Sequence, residues 1–203
     1  MAHRFSERGL DLIASNKRIL GGKILHLDTF PFPIVIWVRP PPPIASAGRL
    51  NRPGVSFLYV GSSHKTAISE IRPHPGHLVS LGQFDTVRDL TVLDFSKPTF
   101  LDFPLNDVGL EQFELTLSID RDLSRPITPE QRAAYISAQF VADLVRQCGF
   151  DGVLYRSSVS DGTNLCVFDP RTLKFAPGSA SLFRTRSVHY EYEELTPSGQ
   201  RRR

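Results

Sequence analysis

Apolar positions in this chain come in short runs separated by glycine and proline. Ile34-Val35-Ile36-Trp37-Val38 is continuously apolar and predicts a buried strand, followed by a stiff polyproline connector at Pro40-Pro41-Pro42-Pro43. Gly48, Pro53 and Gly54 mark a loop, and the β-branched and aromatic run Val55 to Val60 predicts the next strand. Gly61-Ser62-Ser63 interrupts it. Ser63 is placed to cap a short helix from His64 to about Arg72, with Ala67, Ile68 and Ile71 on one face and Pro73 and Pro75 beyond its end. Leu78 to Phe84 and Thr91 to Phe95 read as strands. Residues 98–127 carry short apolar pieces among Pro, Asp and Asn and predict no defined element. Thr128-Pro129-Glu130-Gln131 supplies an N-cap, a proline at the first helical position and a glutamine three residues after the cap. Ala134, Ala138, Val141 and Val145 then recur at helical spacing, with Leu144 beside them and Gly149 as the stop. Asp151 to Tyr155 and Asn164 to Phe168 predict two more strands, separated by the polar, glycine-containing stretch Arg156 to Thr163. Residues 1–28 are weakly patterned. The pattern fades again after Pro177, and from about Glu191 the expectation is disorder.

Five or six strands and two or three helices without strict strand–helix alternation argue for a mixed α+β domain rather than a doubly wound parallel sheet. A chain of 203 residues is long enough for one sizeable core. The expected organisation is an N-terminal extension over 1–28, one domain over 29–183 and a tail over 184–203. The longest apolar stretch, Phe30 to Val38, is broken by Pro31 and Pro33 and falls short of the roughly 20 residues that span a bilayer. Met1 to Arg8 leads into no apolar segment with a small-residue cleavage site, so no signal peptide and a cytoplasmic location are expected.

The formal charge of +3 comes from 24 Lys+Arg against 21 Asp+Glu, and without Arg201, Arg202 and Arg203 the balance is 21 to 21. The basic character therefore sits in a terminal run, not on a folded face, which makes a nucleic-acid partner an unfavoured reading. Cys148 and Cys166 have no CxxC neighbour and read as reduced core or near-core thiols. Gly61-Ser62-Ser63-His64-Lys65-Thr66 mimics a phosphate loop, but His64 stands where a glycine should precede the lysine. His64, His74 and His77 are too loosely spaced for a zinc site, and no metal is expected. Tyr155-Arg156-Ser157-Ser158 is not a nucleophile elbow.

A more coherent set is spread over three elements. Gly48-Arg49-Leu50-Asn51 precedes a strand, Tyr59 lies ten residues after Arg49, and Glu70 lies eleven further on in the short helix. Tyr155-x-Ser157-Ser158 and Gly162-x-Asn164-Leu165-x-x-Phe168 follow later. Taken singly, each residue has an ordinary explanation as a loop charge, a rim aromatic or a strand end. Together, the segments GRLNRPGVSFLYVGSSHKTAISEIR and YISAQFVADLVRQCGFDGVLYRSSVSDGTNLCVFDP resemble the first and last blocks of the RES domain family, named for its Arg, Glu and Ser. The resemblance runs from about Arg39 to Pro170. It departs from the family at Leu50, where an aromatic is frequent, and at Arg156, where a proline is common.

The resemblance implies a compact α+β fold similar to ADP-ribosyltransferases, with a mixed, split β-sheet and flanking helices. It implies an NAD-consuming enzyme, several relatives being toxins paired with an Xre-type helix-turn-helix antitoxin, with NAD as substrate and no further cofactor. Carried over by position, the catalytic set is Arg49, Tyr59, Glu70 and Ser157, and Ser158 and Asn164 join Arg49, Tyr59 and Ser157 as NAD-binding candidates. The residue types suit that chemistry. Breaking the nicotinamide–ribose bond builds positive charge on the ribose, which a carboxylate such as Glu70 stabilises. A guanidinium such as Arg49 grips a pyrophosphate, a ring such as Tyr59 stacks on nicotinamide, and Ser157 bonds the ribose or orients Glu70. Hydrolysis is the favoured expectation, with transfer of ADP-ribose to a protein target and a non-catalytic NAD sensor as the alternatives.

Overall fold

Alternation along the central strands sorts the apolar residues into two layers. The protein was analysed as a computed structural model that describes residues 45–192 and 194, together with two N-terminal strands, β1 (Lys23–Leu27) and β2 (Phe32–Val35). Strands β3 (Leu58–Gly61), β5 (Leu90–Asp94), β6 (Gly152–Arg156) and β7 (Thr163–Val167) join β1 in a five-stranded sheet of order β1-β5-β6-β7-β3. Its pairings are antiparallel except β5–β6, which is parallel. On one face of this sheet Leu93, Val153, Tyr155 and Cys166 meet Ile119 and Leu123 of helix α2 (Asp107–Ser124) and Ala138, Ala142 and Val145 of helix α3 (Ile136–Gln147). On the other face Leu58, Val60, Val92, Leu165 and Val167 meet Leu173 and Phe84 of a second, antiparallel sheet. Residues two apart share a face, so each strand feeds both layers.

The second sheet is organised by β4 (Leu78–Thr86), which pairs β2 and also takes β8 (Leu173–Phe175) and β9 (Ser181–Arg184). Helix α1 (His64–Ile71) seats Ala67 on Val79 and Leu81 of β4. The class is therefore the mixed α+β expected, with the strands split between two sheets.

Several local expectations hold. Ser63 caps α1, its side chain accepting from the Thr66 N–H. Gly149, at φ 80°, takes the left-handed conformation that ends α3. Others are corrected. Val55 to Val60 joins the ladder only from Leu58, because the Val55 N–H donates to the Arg52 carbonyl and the Val55 carbonyl accepts from the Asn51 side chain, both within the preceding loop. Thr128 makes no side-chain cap. Pro129–Tyr135 is a 3-10 stretch broken at Gln131 (φ −90°, ψ 26°), and regular helix starts only at Ile136.

Residues 98–127, which predicted no element, contain α2, the longest described helix, capped by Asn106 accepting from the Gly109 N–H at 2.9 Å. Its buried face mixes Gly109, Thr116 and Asp120 with Ile119 and Leu123, while Val108, Leu110 and Leu115 are exposed, so hydrophobic periodicity is diluted. The described residues hold nine strands, more than the five or six expected. Strands β1, β8 and β9 account for the difference, and β9 buries only Phe183 partly, which leaves no alternation to read. The strand at Ile34–Val38 is observed as Phe32–Val35, and Trp37 and the polyproline run lie outside the described residues, as do 195–203 of the tail. No helix among the described residues is long and apolar enough to cross a membrane.

The start of β6 is fastened to β5 by Asp151. Its carboxylate accepts from the Arg88 guanidinium at 2.6 and 3.0 Å and from the Thr91 N–H at 2.8 Å. Burial pushes the carboxyl up, but these donors outweigh it and hold Asp151 below the usual carboxylate range. A depressed folded value stabilises above the unfolded pKa and is lost as pH falls through the folded one. The stability gap between wild type and Arg88→Ala, measured by urea unfolding, is thus expected to be full at neutral pH and to shrink as pH drops below ~4.

Candidate active site

The loop that carries Arg49 is built around a buried amide. Asn51, 5% exposed, donates through Nδ2 to the carbonyls of Ser46 (2.9 Å), Arg52 (3.2 Å) and Val55 (2.8 Å). Its Oδ1 accepts from the Tyr59 hydroxyl at 2.8 Å, and that hydroxyl accepts from the Leu50 N–H at 3.1 Å. Gln139 of α3 donates to the carbonyls of Gly48 and Asn51. A Cβ at Gly48 would lie 2.3 Å from Asn51 Oδ1 and 3.1 Å from the Tyr59 oxygen, so only glycine fits beside this hub. Leu50, one of the two departures from the family pattern, is 1% exposed and pins the loop into the helix-side core.

Arg49 is thereby presented at the C-terminal end of α2. Its Nη1 donates to the Arg125 carbonyl at 2.9 Å, its Nη2 to Ser158 Oγ at 3.2 Å, and the guanidinium lies 5.2 Å from the centre of the Tyr135 ring. The negative end of the helix dipole and the aromatic face both favour a cation here. Glu70 comes from the last turn of α1 and is exposed. Its Oε1 accepts from Ser157 Oγ at 2.8 Å and from Asn164 Nδ2 at 2.6 Å. Asn164 sits on β7 opposite Tyr155 and Gly61, and Ser157 follows β6 directly. Ser157 Oγ also accepts from the Val159 N–H, which seats the loop between β6 and β7.

A cleft of about 450 Å³ lies between these groups, lined by Arg49, Tyr59, Glu70, Tyr135, Tyr155 and Asn164 among others. Ser157 and Ser158 are not part of its wall. They stand behind Glu70 and Arg49 and orient them. Five of the six residues singled out in the sequence thus fall into two hydrogen-bonded groups at one place: Glu70 with Ser157 and Asn164, and Arg49 with Ser158. Tyr59 also lines the cleft, and its hydroxyl is committed to the Arg49 loop while its ring packs on the helix-side core.

A family model described as the RES domain matches residues 28–190 of the chain. The chain belongs to the RES domain family. Among solved structures, the crystal structure of the M. tuberculosis MbcT–MbcA toxin–antitoxin complex is similar at 16% identity, over 89% of this chain and 93% of that one, with a TM-score of 0.47. No curated protein matches the chain in sequence.

In this RES domain the second departure from the family pattern has a structural partner. Arg156 donates from Nε and Nη2 to the two carboxylate oxygens of Asp120, at 3.0 and 2.5 Å, and so ties the end of β6 to α2 just before the serines. Asp120 is a helix carboxylate buried to 5% exposure, which sequence periodicity has no means of flagging. Tyr135 and Gln139 were also not singled out, and Asn51 and Tyr155 entered only within quoted motifs, without a role of their own. Burial pushes the Tyr59 and Tyr155 phenols well above their ordinary value, with the Cys166 thiol between them adding to it. Both stay neutral at physiological pH.

Arg72, just past α1, also lines the cleft and is the one non-glycine residue at positive φ among those described (φ 54°, ψ 53°). Replacing the buried hub tests the loop: Asn51→Asp keeps the shape but removes the Nδ2 donors from three carbonyls. It is expected to lower the unfolding free energy by at least about 2 kcal/mol in urea titrations.

Proposed function

We propose that this RES domain hydrolyses the nicotinamide–ribose bond of NAD. The observation that carries the reading is Glu70, held by two donors on one oxygen in the same cleft as the Arg49 guanidinium. Bond cleavage sends the electron pair to the pyridine nitrogen, so the charged ring leaves as neutral nicotinamide and positive charge develops on the ribose. The Glu70 carboxylate, already oriented by Ser157 and Asn164, stabilises that charge without reorganising. Water then bonds to the anomeric carbon and its proton passes to solvent, giving ADP-ribose. Arg49 supplies charge to the pyrophosphate, and the neutral rings of Tyr59 and Tyr155 form apolar wall against which flat groups lie.

Membership of the RES family supports the further reading that the chain is the toxin of a toxin–antitoxin pair acting in the cytoplasm. Its partner would be an Xre-type helix-turn-helix antitoxin. Transfer of ADP-ribose to a protein differs only in the acceptor, and the product assay separates the two: free ADP-ribose marks hydrolysis, label retained on protein marks transfer.

Purified protein incubated with NAD is expected to release nicotinamide and ADP-ribose in equal amounts, followed by chromatography. Glu70→Gln keeps the shape, loses the charge, and is expected to lower kcat by ~10²–10³. Near wild-type turnover of that variant would remove Glu70 from the chemistry. Arg49→Lys keeps the charge but loses the planar fork, so KM for NAD should rise while kcat changes less. An unchanged KM would show that Arg49 holds only protein groups.

A further inference from the structure

Three charged residues line the cleft among the described residues: Glu70, Arg49 and Arg72. Arg49 is already engaged, donating to the Arg125 carbonyl and to Ser158. A diphosphate laid against it would meet only part of a guanidinium while carrying two negative charges. Arg72 is the other cation, and no described carboxylate forms an ion pair with it.

The backbone at Arg72 makes the choice of residue informative. It is the C-cap of α1, in the left-handed conformation, its N–H donating to the Ser69 carbonyl at 3.1 Å. Glycine is the residue that fits such a cap without strain, and a left-handed L-residue is disfavoured. The next residue is Pro73, whose ring restricts its predecessor to extended conformations, which adds to the strain. A glycine would serve the cap better in every backbone respect. Arginine at this position keeps the strain and adds only a guanidinium, carried by a residue of the cleft wall two positions from Glu70. Strained non-glycine residues persist where the surrounding structure over-determines them, and they cluster at ligand clamps.

We infer that Arg72 is a second anion-binding residue of the cleft. With Arg49 it forms a two-guanidinium clamp that selects a ligand bearing a diphosphate over the corresponding nucleoside. This inference rests on the NAD reading above and names which part of the dinucleotide the site selects.

The test uses the whole chain and measures calorimetric affinity for ADP-ribose and for nicotinamide riboside, alongside nicotinamide release from NAD. Arg72→Gly removes the guanidinium and relieves the backbone, so the variant is expected to fold with an equal or higher Tm. Its affinity for ADP-ribose is expected to fall by about tenfold or more, as for loss of a charge-assisted contact, while affinity for the riboside stays unchanged. Arg72→Lys should recover part of the loss. Wild-type affinity of Arg72→Gly for ADP-ribose overturns the clamp and leaves the NAD reading standing. An equal loss for the riboside also overturns it, since the effect would then be one of pocket shape. Binding of ADP-ribose that depends on Arg72 without any nicotinamide release upholds the clamp and removes the hydrolase. A wild-type protein that binds neither compound ends both.

Discussion

The buried amide of Asn51 is the group on which the presentation of Arg49 depends. Its two N–H groups are shared among three loop carbonyls, and its oxygen accepts from Tyr59. A loop outside any ladder must satisfy its buried backbone groups by other partners. One side chain does this for Ser46, Arg52 and Val55 together, and Gln139 does it for Gly48 and Asn51. The consequences spread outward. Val55 is drawn out of β3, glycine becomes the only residue type that fits at position 48, and the Tyr59 hydroxyl becomes a brace for the loop.

The Arg49 guanidinium and the end of β6 are held by a different device. α2 contributes no side chain to the set recognised in the sequence, yet its C-terminal carbonyls receive Arg49 and its Asp120 receives Arg156. A helix of mixed buried face is thus positioned by polar contacts at both the cleft and the end of β6. Asp120 is almost fully buried while Arg156 is half exposed, so removing the arginine would leave the carboxylate without its counter-charge in a poorly solvated place.

Much of the fold was legible because it obeys local rules. The Ser63 cap, the run Val153 to Tyr155, the strand around Leu165 and the stop at Gly149 each follow from neighbours in sequence. α2 was not legible because burial there selects Thr116 and Asp120 over Leu110 and Leu115, a choice made by tertiary partners and invisible to periodicity. The 3-10 stretch after Thr128 kept the residue types of a helix start without its geometry. At the site, the chain's resemblance to RES domains pointed to Glu70, Arg49 and the serines, and the structure brings them together. The division of labour was hidden, because whether Tyr59 or Ser157 meets a ligand or another side chain depends on hydrogen bonds that span from eight residues to nearly ninety.

Ser157 and Ser158 are consecutive, yet one holds the carboxylate and the other holds the guanidinium. Adjacent Cα atoms across a trans peptide are about 3.8 Å apart, so adding two serine side chains and two hydrogen bonds keeps the functional groups within about 15 Å of each other. The spacing is therefore set by a single peptide bond, the least extensible spacer a protein has. The pair thus sets an upper limit on the distance between carboxylate and guanidinium. A molecule that touches both groups at once need span no more than that.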